Sequence, residues 1–385
     1  YDISKAVHRY CNCLDFLLEF FGEVALLRPL LLRDLTKNEM KFLKEGYIQV
    51  LPSRDRLGRR ILAQVGSYGG TKYSEIEKFR VCVYLCFSVL SEDITTQRLG
   101  VVSLASFTLE AEMFMRKGLR EISKLIKRFF RIVPLRWSAT HLCIPDDPVF
   151  HLIKSLSLFF LGIQGRRMLR IHIGTPMECD YKLRCFGLPT DDIPRTSTHK
   201  IKLKNHARLI EVRRTIDEFR LKTQGTNPST HVQLPGVECP EINCVLFGKF
   251  AYSYQGNIEY RGLIREIEEE HSGYDNPDTK LFSVTQRLIE ESLRQKFRFM
   301  MYDRNTFLYT EVTDYDTQWG LVQRSVKEYR KRSKTRIMIH ETKLSILKKS
   351  GKNGNKNISD GNVSSLGVVT MGGDRCVDCE CLVGK

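Results

Sequence analysis

The stretch Trp137-Ser-Ala-Thr-His-Leu-Cys-Ile144-Pro-Asp-Asp-Pro148, answered further on by Leu169-Arg-Ile-His-Ile-Gly174, decides the fold. Trp137 to Ile144 reads as a strand. Asp147-Pro148 then supplies an N-cap and a first-turn proline. The helix they open, Val149 to Leu161, carries Phe150, Leu152, Ile153, Leu156, Leu158, Phe159 and Phe160. Arg170-Ile-His-Ile173 returns as a strand, and the short segment Tyr181 to Phe186 leads into Gly187-Leu-Pro-Thr190. A strand, a helix and a second strand in this order form a crossover unit, which implies parallel strands.

Working upstream, Pro134 ends an amphipathic helix over 112–131. One face holds Leu119, Ile122, Leu125, Ile126 and Phe129; Arg116, Lys117, Arg120, Lys124, Lys127 and Arg128 dominate the rest. Gly100 to Ala105 is a short buried strand. Ser74 and Glu77 cap a helix reaching Leu90, apolar on every side and so covered on both. Tyr47 to Leu51 and Arg60 to Val65 flank a Gly-bearing turn and read as a hairpin. Residues 1–45 read as helical, with a capping box at Thr36 and Glu39. The whole order is hairpin, helix, strand, helix, strand, helix, strand. It specifies an α/β domain: a mixed, largely parallel sheet with covering helices.

The proline before a strand, the Ile144-Pro-Asp-Asp-Pro148 turn, the greasy helix, the Arg170-Ile-His172 strand and the closing Leu188-Pro189 together resemble the CRAL-TRIO lipid-binding family, the fold of phosphatidylinositol- and tocopherol-transfer proteins. The likeness covers about residues 40–195, and residues 1–39 match the helical extension that precedes that domain. Where family members often follow the closing Leu-Pro with two glycines, this chain has Asp191-Asp-Ile-Pro-Arg195. The resemblance implies reversible binding or transfer of a lipophilic ligand, such as a phospholipid, phosphoinositide or isoprenoid, without catalysis. Residues 149–161 would be the movable lid. Val101, Val102, Leu104, Leu142, Ile144, Phe150, Ile153, Leu156, Phe159 and Phe160 are the candidate lining. Apolar burial favours an acyl chain by about 0.8 kcal/mol per methylene. The same side chains would equally fill an ordinary core. Arg166, Arg167, Arg170 and His172 are the candidate anion or headgroup site, since arginine holds phosphate bidentately; a solvated basic face is the plainer reading of each.

Residues 196–238 read as a helix, with Leu209, Val212, Ile216 and Phe219 at helical spacing, followed by a linker; the boundary is expected near 225–238. Residues 239–335 read as a small, mainly helical domain. Asn243-Cys-Val-Leu-Phe-Gly-Lys249 and Gly256-Asn257 resemble an uncharacterised domain family common in unicellular algal proteins. Phe250 and Tyr254-Gln255 stand where that family has Gly and His-Pro. From Arg324 to Lys356 there are twelve Lys or Arg against Glu328 and Glu341. Residues 336–385 read as a basic, then Gly/Asn/Ser-rich and disordered tail.

A formal charge of +16 points to anionic partners, either a membrane surface or nucleic acid. Arg330, Lys331, Arg332, Lys334 and Arg336, with Phe297, Phe299, Tyr302, Tyr309 and Tyr315 nearby, are the candidate nucleic-acid contacts. That is the alternative function, a nucleic-acid-binding or scaffold protein acting through its C-terminal part. No Ser/His/Asp or Cys/His arrangement can be assembled by spacing, so no enzyme is expected, and His141, His151 and His172 read as core or rim residues. Cys376, Cys379 and Cys381 lack a nearby fourth ligand, so neither metal nor cofactor is expected. Gly66-Ser-Tyr-Gly-Gly70 reads as a turn, or less specifically as an anion loop. No apolar run reaches the eighteen or so residues of a membrane span. Cys82, Cys86 and Cys143 sit in apolar runs and no secretory leader is visible, so a reduced, cytoplasmic, peripherally membrane-associated setting is expected, with the nucleus as the alternative. The chain opens on Tyr1, which leaves room for an upstream targeting segment.

Overall fold

The computed structural model describes residues 2–66, 72–90, 93–108, 125, 128–133, 135–160, 163–223, 236–248, 254–273 and 276–353, without the side chains of 153, 156–160, 163, 164 and 336–353. They fall into two compact units, Tyr1–Lys327 and Glu328–Lys385.

The first unit opens with α1 (Ile3–Phe21), α2 (Val24–Leu27) and α3 (Lys37–Glu45). Thr36 and Glu39 form the expected capping box on α3. Next come β1 (Ile48–Val50) and β2 (Arg60–Val65), paired antiparallel as the hairpin reading requires. Ser74 and Glu77 cap α4 (Glu75–Leu85), which continues as one π turn through Leu90. α4 is not apolar throughout, as Lys78 pairs with Glu75 and Arg80 with Glu39, but its body is covered on both sides. Leu62 and Val101 of the sheet share its core, and Phe79 meets Phe16 of α1 and Phe129 edge-on. Cys13, Phe16 and Leu17 of α1 therefore belong to the main core.

After α5 (Ile94–Leu99) come β3 (Val101–Ser106) and β4 (Trp137–Ile144). Most of the expected 112–131 helix lies outside the described residues. Asp147 accepts from the Val149 amide and opens α6 (Pro148–Phe160), followed by α7 (Ile163–Met168) and β5 (Leu169–Ile173). The sheet order is β1-β2-β3-β4-β5, with β2 to β5 mutually parallel. The α/β, mostly parallel reading is thus the fold seen.

The segment expected as a short stretch at Tyr181–Phe186 is the end of a full helix, α8 (Pro176–Cys185). Thr175-Pro-Met-Glu178 is another capping box with proline at the first turn, a signal present in the sequence and overlooked. Gly174 precedes it at φ 140°, a conformation that residues with a side chain rarely adopt, and a Cβ there would also crowd the Glu178 carboxylate. Side chains alternate across each strand. Leu62, Val101, Leu142 and Ile144 thus face α4 and α6, whereas Ile61, Ala63, Val102, Leu104 and Cys143 face α8.

α9 (Lys204–Thr223) buries Leu209, Val212 and Ile216 as its spacing predicts; Phe219 is exposed. Leu209 and Ile210 join the main core, while Val212 and Ile216 pack on Leu308. Beyond it lie β6 (Cys244–Phe247), α10 (Gln255–Glu270), α11 (Pro277–Arg294), β7 (Arg298–Tyr302) and β8 (Tyr309–Glu311). Their three-stranded sheet, β6-β7-β8, is an addition to the mainly helical expectation. The compact unit runs through to Lys327, past the boundary expected near 225–238, because α9 has a buried face toward each sheet. α12 (Tyr315–Asn353) follows; it keeps residues 336–353 helical, and the rest of the expected tail lies outside the described residues.

Candidate functional site

Parallel strands all end on one side of a sheet, and the crevice beyond their carboxyl ends is where open α/β sheets bind ligands. This sheet has such a crevice, a cleft of about 810 Å³. Ser106 at the end of β3, Ile144 at the end of β4 and Ile173 at the end of β5 all line it, as does Gly66 just past β2. Phe107, Ile144, Ile173 and Ile201 supply apolar wall. Thr108, Thr175 and Thr198 supply hydroxyls, and Cys143 and Cys179 lie at its floor, both buried.

Four charged side chains reach the cleft, and three are already engaged. Asp146 is held by His151 at 2.8 Å. Glu178 accepts from the Thr175 amide at 2.7 Å, and that bond, with the Thr175 hydroxyl, holds its carboxyl below the usual carboxylate range. Arg195 is 6% exposed, and its Nη2 donates to Pro176 O and Asp180. Its Nε is buried with no partner among the described residues, and so is the Thr108 hydroxyl. Lys200 is exposed, with no ion pair among the described residues. It ends a tight turn: the Thr196 amide donates to Lys200 O, the His199 amide to Thr196 O, and His199 takes φ 61°. A non-glycine residue in the left-handed region is uncommon and clusters at functional sites. Among the described residues Lys200 is therefore the unpaired charge of the cleft, and the orphaned Arg195 Nε and Thr108 hydroxyl call for an acceptor-bearing ligand.

Beneath the α8 face lies a second constellation. His141 Nδ1 and His172 Nε2 are 3.0 Å apart, their rings stacked at 4°, with Phe186 edge-on to both. Burial chiefly lowers both pKa values, His141 to about 4, and His172's charge and Arg59 add to that on His141. Both are neutral at pH 7, so one nitrogen donates and the other accepts.

Comparison with protein-family models and with curated proteins gave no match to this chain. The site alone carries the functional reading. Among the described residues no three His, Cys, Asp or Glu side chains group as a metal site needs, and no described helix is long and apolar enough to cross a membrane.

The sequence candidates are dispersed. Val101, Val102, Leu104, Leu142, Ile144 and Phe150 are all buried. Val101, Leu142, Ile144 and Phe150 lie on one face of the sheet and Val102 and Leu104 on the other, so strand alternation forbids one cavity from using them all. Of these, Ile144 reaches the cleft. The side chains of Ile153, Leu156, Phe159 and Phe160 on α6 lie outside the described residues. Arg166, Arg167 and Arg170 are exposed at the amino end of β5, away from the cleft at its carboxyl end, and Arg170 donates to Arg167 O and Leu169 O. His172 is occupied by His141. Of the cations that do reach the cleft, Arg195 ends the Asp191–Arg195 stretch, where the chain departs from the resembled family, and Lys200 follows it. That departure was the signal for Arg195.

On α12, Lys331, Arg332 and Lys334 are exposed and Arg330 is half-buried; the Arg336 side chain lies outside the described residues. Of the aromatics offered for stacking, Phe297, Phe299 and Tyr309 are core residues, while Tyr315 is exposed.

Proposed function

We propose that this protein binds, without catalysis, a small amphipathic molecule with an acidic or acceptor-rich head and a lipophilic body. The observation that carries the reading is the cleft at the carboxyl ends of the parallel strands. Its volume lies within the roughly 300–1,000 Å³ usual for small-molecule sites. The head would meet Lys200, Arg195 Nε and the Thr108 hydroxyl, the donors left without partners. The body would lie on Phe107, Ile144, Ile173 and Ile201. A lipid carrier of the CRAL-TRIO kind, docking on anionic membranes through its basic surface and opening along α6, is the biological form this reading takes. Asp146 and Pro145, in the loop that enters α6, line the cleft, so a movement of that helix would change its mouth.

The test is native mass spectrometry of the full chain after exposure to a cell lipid extract. A one-to-one adduct is expected, weakened at least tenfold in Lys200→Glu, an exposed position where charge reversal leaves the core untouched. Wild-type protein that stays ligand-free in the extract would overturn the reading. In that case the exposed Lys331, Arg332 and Lys334 on α12 would favour the second reading, nucleic-acid binding, recognised by affinity that falls steeply with salt.

A further inference from the structure

We infer that Cys143 and Cys179 form a peroxide-sensitive dithiol at the floor of the cleft, which oxidation converts into a disulfide tying α8 to β4. The two thiols arrive from different elements. Cys143 stands near the carboxyl end of β4, directly opposite His172 of β5 in the sheet register. Cys179 is in the first turns of α8, and its Sγ lies 3.6 Å from His172 O and 3.8 Å from Gly174 O. Both belong to the same core cluster, both are nearly inaccessible from the general surface, and both line the cleft. The cleft is the side from which an oxidant would approach them.

Their environment divides the labour. The Cys143 thiol bonds to Cys179 sulfur, which is the main reason that the Cys179 thiol is pulled below the usual range; Arg195 and Lys182 pull the same way, against burial and Asp180. The same bond, with burial, pushes the Cys143 thiol up. The thiolate is the nucleophile, so Cys179 reacts first and Cys143 stays protonated in reserve. In the first step the Cys179 thiolate attacks one oxygen of hydrogen peroxide. The O–O bond breaks, hydroxide leaves and takes up a proton, and the sulfur becomes a sulfenic acid. In the second, Cys143 loses its proton and its sulfur attacks that of Cys179. The S–S bond forms, the S–O bond breaks, and hydroxide leaves with the proton as water. Two thiols and one peroxide give one disulfide and two waters. The two steps do not rest on the identity of the ligand the cleft holds.

The experiment uses the full chain, reduced and then exposed to graded hydrogen peroxide, alkylated on unfolding and digested without reductant for peptide mass mapping. The expected product is a crosslinked peptide pair joining Cys143 to Cys179, two hydrogens lighter than the separate thiols and released by dithiothreitol. It should form at a lower peroxide dose than oxidises the exposed Cys11 or Cys185. Recovery of both peptides as alkylated thiols at doses that oxidise Cys185 would overturn the inference, as would Cys179 passing to sulfinic acid with Cys143 still a thiol. The wild-type reading needs no variant to fold. Cys143→Ala also removes the bond that activates Cys179, so the sulfenic acid should form at a higher peroxide dose and then persist on Cys179, where dimedone traps it.

Discussion

At the scale of single residues, the His141–His172 pair makes the sharpest claim. Each imidazole is neutral when folded, because burial opposes the charged form and Arg59, Arg170 and Lys182 repel it. In the unfolded chain each titrates near its ordinary value of about 6.5. Above that pH both states are neutral and the pair contributes no slope. As pH falls from about 6.5 towards the His141 value of about 4, the unfolded chain takes up protons first and stability is lost. The loss at His141 is on the order of 3 kcal/mol over the whole window. Urea midpoints should fall between pH 7 and pH 4.5, and the fall should be shallower in His141→Gln, which keeps a polar partner for His172 but does not titrate. An unchanged slope in that variant would remove the pair as the cause. His206, buried and also lowered, adds a slope of the same sign that both proteins share. Sequence showed two histidines thirty-one positions apart. Only the β4–β5 register, which sets His141 opposite Arg170 and His172 opposite Cys143, makes them diagonal neighbours.

At the scale of elements, α8 does most to form the site. Its first turn supplies Pro176, Glu178 and Cys179 to the cleft, and its body covers one face of the sheet through Leu183. The Thr175 hydroxyl accepts from the Glu178 amide while Glu178 returns a bond to the Thr175 amide. Thr175→Ala should cost about 1 kcal/mol in equilibrium unfolding, and Thr175→Ser much less, since the cap needs only the oxygen. Equal losses in the two would show that the methyl group's packing matters and the cap does not. Capping signals are local, so those of α3, α4 and α6 were legible in advance, and that of α8 was there to be read. Pocket lining is not local. Neighbouring strand residues such as Val101 and Val102 are equally apolar, yet they point to opposite faces.

At the scale of the molecule, the first unit is joined by buried charge and by a shared helix. Arg54 donates to Pro240 O at 2.9 Å, Cys239 O at 3.0 Å, Gly58 O at 3.1 Å and Asp93 at 2.5 Å. Arg60 pairs with Glu238 at 2.8 Å, and the Tyr254 hydroxyl donates to Pro240 O. These bonds fasten the segment leading into β6 against the first sheet. On α9, Arg208 sits over the rings of Tyr302 and Tyr309. Removing one partner of a buried ion pair strands the other, so Arg54→Met should cost roughly 3–5 kcal/mol. It should also uncouple the two sheets. The tryptophans report on both parts, Trp137 from β4 and Trp319 from α12. Followed singly, in Trp319→Phe and Trp137→Phe backgrounds, they should unfold together in the wild type and apart in Arg54→Met. Coincident transitions in the variant would mean that α9 alone couples the parts.

The alternation of strand and helix, the hairpin, the caps and the mostly parallel sheet were determined by the sequence itself, because periodicity, turn residues and capping boxes act over a few positions. The mouth of the cleft, the paired histidines, the two converging thiols and the burial of α9 between two sheets were decided by tertiary structure. Each depends on register and on contacts between residues far apart in the chain. Arg54 and Pro240 are neighbours only after both sheets are in place.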